Sequence, residues 1–383
     1  MPNTLTGLYP DIYAASNVVS RELSGLITAV SRDSNLERAA IGQNVRVPIA
    51  GAVTGADNTP GVTAPNTGDN TVTNVNLGIT KSRHFPVRWN GEETKGLTNA
   101  GSYSKITQDR FAEAMRAAVN EIETDVFNAA YPGASRAFGT AGTSPFATAA
   151  DMTDWAGALR ILEENGAPRE DLQMALGHGA MGNLRGKQSG LFKANEAGTD
   201  DFLRNGFTDR VMRFAIRQSN AIGIVTKGTG AAYTTSAAGF AVGVTSIAII
   251  TGAGTVLAGD VVTFAGDTNK YVVATGVAAP GTIVLAAPGL RVAIPAAATA
   301  MTIGGNFTAN LAFSRSAIVL ATRQVATPSG GDAATDLMTV VDPATGLAFE
   351  IAEYKQFLQT VYHVRLAWGT GVVKPNHIAV LLG

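Results

Sequence analysis

The stretch "SYSKITQDRFAEAMRAAVNEIETDVFNAAYPG", residues 102–133, encodes the longest regular element of this chain. Its apolar residues recur at three- and four-residue steps, which is the spacing of one face of an α-helix. Ser104 can cap the amino end, and Pro132-Gly133 ends the pattern. We predict a helix from Lys105 to Tyr131, about 40 Å long at about 1.5 Å per residue. Its apolar stripe consists of Phe111, Met115, Ala118, Ile122, Val126 and Ala129.

Segments of alternating polarity lie before this helix, at residues 43–49, 75–79 and 85–89. The first two are separated by residues 50–70, which are rich in Gly, Thr, Asn and Pro. Loops this long inside compact domains are uncommon and usually have a function or are mobile. We predict a long β-hairpin with an extended tip. Its alternating apolar residues, with those of the third segment, are Val45, Val47, Ile49, Val75, Leu77, Ile79, Phe85, Val87 and Trp89.

A mixed pattern of helices and strands occupies most of the remaining chain, so the fold class is predicted to be α+β. One further feature is the stretch "RVMRFAIRQSNAI", which we predict to be a single strand with Val211 and Ala215 on one face. The other predicted helices are residues 8–30, 151–164 and 178–186, and the predicted carboxy-terminal strands are 337–341, 347–353, 360–368 and 377–382.

Residues 228–310 differ in composition from everything around them. They contain four charged residues, Asp260, Asp267, Lys270 and Arg291, and their pattern predicts five or six short strands. The stretch "LAGDVVTFAGDTNKYVVATG", residues 257–276, has the alternation and turn residues of a β-hairpin. Because the mixed pattern resumes afterwards, we predict a small β-barrel inserted into a larger domain, with Val262 and Phe264 filling its interior.

The composition favours a chain that buries surface against other chains. Of 383 residues, 45% are hydrophobic and 15% are charged, compared with about 25% charged in typical domains, and the net charge is −1. There are no cysteines, which excludes disulfides and thiolate sites. The first residues predict no signal peptide, and no apolar run is long enough to cross a membrane. Near-neutrality argues against coating nucleic acid by clustered positive charge.

The motif "GHGAMG", Gly177–Gly182, is the strongest candidate for chemistry. It matches the glycine pattern of dinucleotide-binding turns, and Glu196 follows at a suitable distance. The fingerprint also needs a parallel return strand, and the residues that follow predict none. We favour a tight strand-to-helix turn, and the alternative is a nucleotide-binding enzyme that uses Gly177–Gly182.

The other polar residues do not form a recognisable active site. The histidines lack metal-ligand spacing, and adjacent carboxylates such as Glu163-Glu164 are typical of solvated faces. We therefore predict no catalytic residues, no cofactor and no metal. The histidines are His84, His178, His363 and His377, and a candidate basic strip comprises Arg204, Arg210, Arg213 and Arg217.

The order of these parts resembles the Hong Kong 97-type fold of tailed-phage major capsid proteins. The stretch "NTLTGLYPDIYAASNVVSRELSGLITAVSRD" is similar to the amino-terminal arm of coat proteins from P-22-type short-tailed phages, and "GQNVRVPIAGAVT" is similar to the first strand of their extended loop. The stretches "FTDRVMRFAIRQSNAI" and "NLAFSRSAIVLATR" resemble the strands that flank their inserted β-barrel. The resemblance covers most of the chain.

The resemblance implies a domain organisation. It assigns residues 1–40 to an amino-terminal arm, 41–90 to an extended loop, and 91–150 to the spine helix with the peripheral domain. It assigns residues 151–227 to the first part of the axial domain, 228–310 to the inserted β-barrel, and 311–383 to the axial and peripheral return strands.

The resemblance also implies a function and partners. The chain would be a non-catalytic major capsid protein that assembles as hexamers and pentamers into the icosahedral shell of a tailed double-stranded DNA phage. It would form this virion capsid in the host bacterial cytoplasm. Its partners would be a separate scaffolding protein, a portal protein and packaged DNA, which it contacts weakly and non-specifically, and it would have no membrane partner. The alternative on the same fold is the shell of an encapsulin-like cellular nanocompartment.

Overall fold

The structure is a computed structural model that describes residues 22–49, 55–63, 73–99, 103–188 and 210–383. Most of the predicted helix at residues 8–30 lies outside the described residues. Within them, a short helix is followed by a strand of nine mostly polar residues, which the sequence pattern did not predict. The predicted tip of the long hairpin is described only at residues 55–63, which are exposed.

Five α-helices and twenty strands make up the described part of the chain. In chain order they are α1 (Gly25–Ala29), β1 (Ser31–Ala39), β2 (Asn44–Ile49), β3 (Thr73–Gly78), β4 (Lys81–Asn90), α2 (Gly91–Asn99), α3 (Tyr103–Ala130), β5 (Arg136–Phe138), α4 (Thr153–Glu164), β6 (Leu172–Leu176), α5 (His178–Lys187), β7 (Arg210–Val211), β8 (Phe214–Gln218), β9 (Ile224–Val225), β10 (Ser246–Ile249), β11 (Val261–Phe264), β12 (Lys270–Thr275), β13 (Gly281–Leu285), β14 (Met301–Ile303), β15 (Phe307–Ser314), β16 (Ile318–Val325), β17 (Asp336–Val341), β18 (Ala348–Gln356), β19 (Gln359–Val372) and β20 (Ile378–Leu382).

The long helix α3 forms close to where its sequence predicts it, from Tyr103 to Ala130. Five of the six residues of its predicted stripe face the largest hydrophobic core, where Phe111, Met115 and Ile122 are completely buried, whereas Ala130 and not Ala129 completes the buried face. Removing one such large side chain typically costs about 2–5 kcal/mol, so this stripe anchors the helix to the rest of the chain.

The first sheet has six strands, and β19 is its central strand. One edge of β19 pairs along its length with β4, while the other edge pairs with β18 and then with β16. β1 joins β16 in parallel, and β17 joins β18 in antiparallel. Helix α3 covers one face, where the Phe111 and Tyr362 rings meet edge to face at 5.3 Å. The strand β4 therefore belongs to this sheet, although residues 81–90 fall within the predicted extended loop.

The second sheet is buried on both faces. Its central strands lie in the order β5, β20, β15, β6, β8, and the β5–β20 and β6–β8 pairs are parallel. Along β20, Val380 faces the same core as α3, whereas Leu381 faces a second core that includes Trp155 of α4. A strand covered on both sides can be apolar at every position, which explains why "IAVLL" shows no alternation.

The segment between β9 and β15 contains five strands, β10–β14, and a hydrophobic core of its own. Its ends lie together because Val225 pairs with Phe307, and the Lys227 amide donates to the Asn306 side chain at 3.0 Å. The strand β15 begins at Phe307, before the predicted end of the segment at residue 310. It is also joined to the body of the chain by pairing of β12 with β5.

One sequence prediction in this part of the chain is wrong. The stretch 210–218 is not one strand, because Met212 and Arg213 have positive φ angles of 44° and 73° and form the turn of a hairpin between β7 and β8. The strand β8 pairs with β6 in parallel, but it begins at Phe214, beyond residues 187–206, in which the sequence predicts no return strand.

None of the helices among the described residues is both long enough and apolar enough to cross a membrane.

Candidate assembly surface

The glycine motif forms the tight turn that joins β6 to α5. The Gly177 amide donates to the Asn310 side chain at 2.8 Å, and a side chain at this glycine would press on Ile222 at 3.2 Å. The His178 ring contacts Asn220 at 3.1 Å and Gln218 at 2.7 Å. The Asn310 side chain thus accepts from the first amide of this turn, and close packing accounts for Gly177, whereas nothing lies within 4 Å of a Cβ atom at Gly182.

The histidines do not form a metal centre. The His84 and His363 rings stack at 4.7 Å with an interplanar angle of 9°, so their nitrogen lone pairs lie in parallel planes and do not converge. Burial, followed by the charges of His84 and Arg365, lowers the pKa of His363, and burial lowers the pKa of His377. Across the described residues, no three His, Asp or Glu side chains are grouped closely enough to hold a metal ion.

The candidate basic strip is broken by the hairpin turn. Arg210 pairs opposite Ala215, which places it on the same face as Arg217, while Arg213 lies in the turn itself. Arg204 lies outside the described residues. The predicted strip therefore does not run along one strand.

The hairpin of β2 and β3 is the most distinctive surface feature. Val45 pairs with Leu77 and Val47 with Val75, so the apolar residues of both strands share one face. Leu77 is 4% exposed and packs against β16 and β19, whereas Val45, Val47 and Val75 are only partly buried. We call Val45, Val47, Ile49, Val75 and Leu77 the hairpin stripe.

Two glycines of β19 let the base of the hairpin lie directly on the first sheet. A Cβ atom on Gly369 would come within 2.1 Å of the Gly78 carbonyl oxygen, and one on Gly371 within 2.5 Å of the Leu77 side chain. Real Cβ atoms do not approach backbone atoms so closely, so Gly369 requires glycine for packing and not for backbone torsion, whereas at Gly371 the end of the Leu77 side chain would have to shift. The spacing "GTG" in an otherwise apolar strand was the available signal for this contact.

A second exposed apolar feature is the tip of the β18–β19 hairpin. Phe357 is 90% exposed and Leu358 is 74% exposed, and Leu358 has a positive φ of 53°. The described residues bury little of the apolar surface of these two side chains. Such side chains are typical of a surface that is covered by another protein.

Ion pairs hold β4 on the long helix. The Lys81 ammonium contacts Glu121 and Asp125, both at 2.9 Å, and Arg83 contacts Glu121 at 3.0 Å. Burial lowers the pKa of Lys81, but the hydrogen bonds to Asp125 and Glu121 outweigh it and leave the pKa raised. The Trp368 indole also donates to Asp125 at 2.8 Å, so the edge strand, the central strand and the helix are joined at one place.

The elements α1 and β1 are held by two buried groups that sequence reasoning missed. One is the Arg365 guanidinium, which contacts Glu350 at 2.9 Å and Asp332 at 2.7 Å, while Arg38 of β1 contacts the same Glu350 at 3.0 Å. The hydrogen bonds from Arg365 and Tyr354 lower the pKa of Asp332.

The other group is Glu123 of α3, which is 2% exposed. Its carboxylate accepts the Leu26 amide at 2.7 Å, the Ile27 amide at 2.9 Å and the Ser219 hydroxyl at 2.7 Å. Burial raises the pKa of Glu123 despite these bonds. Because its partners lie 96 or 97 residues away in sequence, no local pattern identifies it.

Comparisons with known proteins give distant structural likenesses. No family model matches the chain, and no curated protein matches it. The capsid structure of cyanophage P-SCSP1u is similar to it with a TM-score of 0.48 and 12% identity over 95% of this chain and 89% of that one.

Two further capsids are similar to a comparable degree. The mature capsid of bacteriophage PhiM1 gives a TM-score of 0.46 and 11% identity over 95% of this chain and 88% of that one. The capsid of Myoviridae phage XM1 gives 0.45 and 10% over 96% and 95%.

Proposed function

We propose that this chain is the major capsid protein of a tailed double-stranded DNA phage and assembles with copies of itself into an icosahedral shell. The observation that carries the proposal is the hairpin stripe, an apolar face that the described residues of the chain cover only in part. A monomer gains nothing from leaving such a face half-exposed, whereas a subunit can bury it against a neighbour.

The remaining surface supports the same proposal. Phe357 and Leu358 form a second uncovered apolar feature on a different hairpin. Two different apolar surfaces on one molecule favour heterologous contacts, in which one surface of each copy meets the other surface of the next copy. Such contacts generate a closed ring when the rotation between neighbouring copies divides a full turn evenly. The low charged fraction, 15%, keeps electrostatic repulsion between copies small.

The domain organisation is part of the proposal. It assigns residues 1–40 to an amino-terminal arm, 41–90 to an extended loop, and 91–150 to the spine helix and peripheral domain. The axial domain would take residues 151–227 and, with the peripheral return strands, 311–383. Support comes from the order of the elements, with a hairpin followed by the helix α3 and then by the second sheet.

Residues 228–310 would form an autonomous β-barrel within the axial domain. Support comes from its separate core and from the meeting of its two ends at β9 and β15. Expressed alone, residues 226–308 should give an amide spectrum as dispersed as that of a folded β protein. A collapsed spectrum would contradict the autonomous domain and leave the capsid proposal intact.

A separate scaffolding protein, a portal protein and DNA bound weakly and non-specifically are the proposed partners, with assembly in the host cytoplasm. The test is negative-stain microscopy of the purified chain, alone and after coexpression with the scaffolding gene found beside it. Uniform shells are the expected result. Particles of monomer size under both conditions would contradict the proposal, and shells that hold a host enzyme would favour the encapsulin-like nanocompartment.

A further inference from the structure

A small cleft lies where the segment between β9 and β15 meets the body of the chain. It has a volume of about 190 Å³ and lies between β5, α4 and the turn before β12. Three cationic side chains line it, one from each element: Arg136, Arg160 and Lys270. Cations from three separate elements do not converge on one cleft by helical or strand periodicity, so the convergence is a property of the fold.

Arg136 is the buried wall of this cleft and is 2% exposed. One terminal nitrogen donates to Asn269 at 3.0 Å, and the other donates to Glu164 at 2.7 Å and more weakly to Asn165 at 3.3 Å and to the Ile161 carbonyl at 3.5 Å. Its Nε atom is buried and has no hydrogen-bond partner within the described residues. A buried guanidinium with an unused donor is costly unless something accepts from it.

The other two cations are poorly compensated. The Arg160 Nε atom lies 3.6 Å from Glu164, which is already engaged by Arg136. The Lys270 ammonium donates to the Gly139 carbonyl and is paired with no carboxylate among the described residues. Burial lowers the pKa of Lys270, which is the direction expected for an ammonium that no nearby carboxylate stabilises.

A further carboxylate, that of Asp267, does not compensate the charge of these three cations. Asp267 accepts from the backbone and side chain of Asn269 at 2.8 and 2.7 Å, and its second oxygen accepts from the Tyr271 hydroxyl at 2.5 Å. Its oxygens therefore serve the turn itself. The cleft is left with three cations and one shared carboxylate.

We propose that this cleft binds a phosphate group through Arg136, Arg160 and Lys270. Guanidinium groups match the oxygens of phosphate in a bidentate manner, and an ammonium adds a point charge. Pockets for drug-sized ligands and cofactors usually exceed about 300 Å³, so a space of this size suits a single phosphate group and not a nucleotide. The phosphate could be a free inorganic ion or one phosphodiester of a nucleic acid.

Calorimetric titration of the full chain with inorganic phosphate tests the proposal, with sodium chloride at equal ionic strength as the blank. Saturable binding of one phosphate per chain is expected. Lys270→Gln and Arg160→Gln should each weaken it about tenfold or more, because each removes a charge-assisted hydrogen bond.

Arg169→Gln is the matched control. Arg169 has the same exposed side-chain fraction as Arg160, 63%, and also contacts a glutamate, but it does not line the cleft. It should leave phosphate binding unchanged. Equal heats in phosphate and chloride, or equal weakening by Arg169→Gln, would overturn the proposal.

A second titration separates the two sources of phosphate. A short DNA duplex labelled with a fluorophore should bind to the wild-type chain and be displaced by inorganic phosphate if a phosphodiester is the occupant. The Lys270→Gln variant should then bind the duplex more weakly, and Arg169→Gln should not. Phosphate binding without displaceable duplex binding would assign the site to the free ion.

Discussion

Two regions extend from the body of this chain, the segment between β9 and β15 and the hairpin of β2 and β3, and they are stabilised in opposite ways. The segment between β9 and β15 contains its own core, in which Tyr233, Val262 and Phe264 are at most 2% exposed. The hairpin of β2 and β3 has no core of its own, and of its stripe only Leu77 is fully buried. Both are β structures attached at both ends, so secondary structure alone does not separate them.

The two regions differ in the source of their stability. A segment with a core of its own draws stability from within itself, because burying a large apolar side chain contributes about 1.5–3 kcal/mol. A two-stranded hairpin is marginal in water and needs another surface. Stability should therefore respond to changes within the segment, and assembly should respond to changes in the hairpin.

The largest expected effect on stability is inside the segment. Phe264→Ala should lower the free energy of unfolding by about 3–5 kcal/mol, because it empties the centre of a closed core. Denaturant unfolding of the full chain measures this. Val292→Ala, at a position 44% exposed in the same segment, is the control and should cost less than about 0.5 kcal/mol. Equal losses would mean that the segment has no tightly packed interior.

Next comes the contact between the hairpin and the sheet. Gly369→Ala places a Cβ atom against the Gly78 carbonyl and should cost about 1–3 kcal/mol as the hairpin is forced away. Hydrogen exchange should increase in β2 and β3 and stay unchanged between β10 and β14. Gly96→Ala is the control, because no atom lies near that position of α2. A uniform increase in hydrogen exchange across both regions would show that the hairpin and the segment are not independent.

A smaller effect is expected from pH at Glu123. Because its pKa is raised in the folded chain, its contribution to the free energy of unfolding is complete below the unfolded value, 4.5, and is lost as the pH rises through the folded value. Glu123→Gln should remove this dependence. Unfolding measured from pH 4 to pH 8 tests the difference in slope.

The control for this pH experiment is Glu113→Gln on the same helix, where the side chain is 58% exposed. It should leave the wild-type slope between pH 4 and pH 8 unchanged. The hypothesis fails if Glu123→Gln keeps the wild-type slope, since the group responsible would then lie elsewhere.

The smallest effect on stability should come from the hairpin tip. Deleting residues 57–66 should change the free energy of unfolding by about 0.5 kcal/mol or less, the cost associated with changing the length of a flexible loop. Shell formation should nevertheless be impaired, as seen by electron microscopy or light scattering. Unfolding of the monomer on deletion would place the tip in a core and reverse the comparison.

Local patterns were sufficient for elements that bury one face. The stripe of α3 and the alternation of β2 and β3 predicted those elements to within a few residues, because periodicity reports the buried side directly. They failed for β1, whose residues "SRDSNLERA" are polar and join the sheet by backbone pairing with β16. They failed again at Met212-Arg213, where two non-glycine residues adopt positive φ angles.

The groups that matter for the surface and for the cleft were harder to predict. Arg136 meets Asn269 across 133 residues and Glu164 across 28, so its role depends on the second sheet bringing β5 beside β12. The 90% exposure of Phe357 follows only from the geometry of the β18–β19 hairpin. Sequence patterns predict what is buried locally, whereas long-range charge pairing requires the fold.

The meeting of Val225 and Phe307 has a practical consequence for how this chain can change. Because the two ends of the segment are paired neighbours, a sequence of a different length can connect them without moving the strands on either side. For the same reason a foreign peptide could be displayed at this position. A lineage that loses or exchanges the segment must replace the β5–β12 pairing and the Val261 and Val272 side chains, which pack in the largest hydrophobic core.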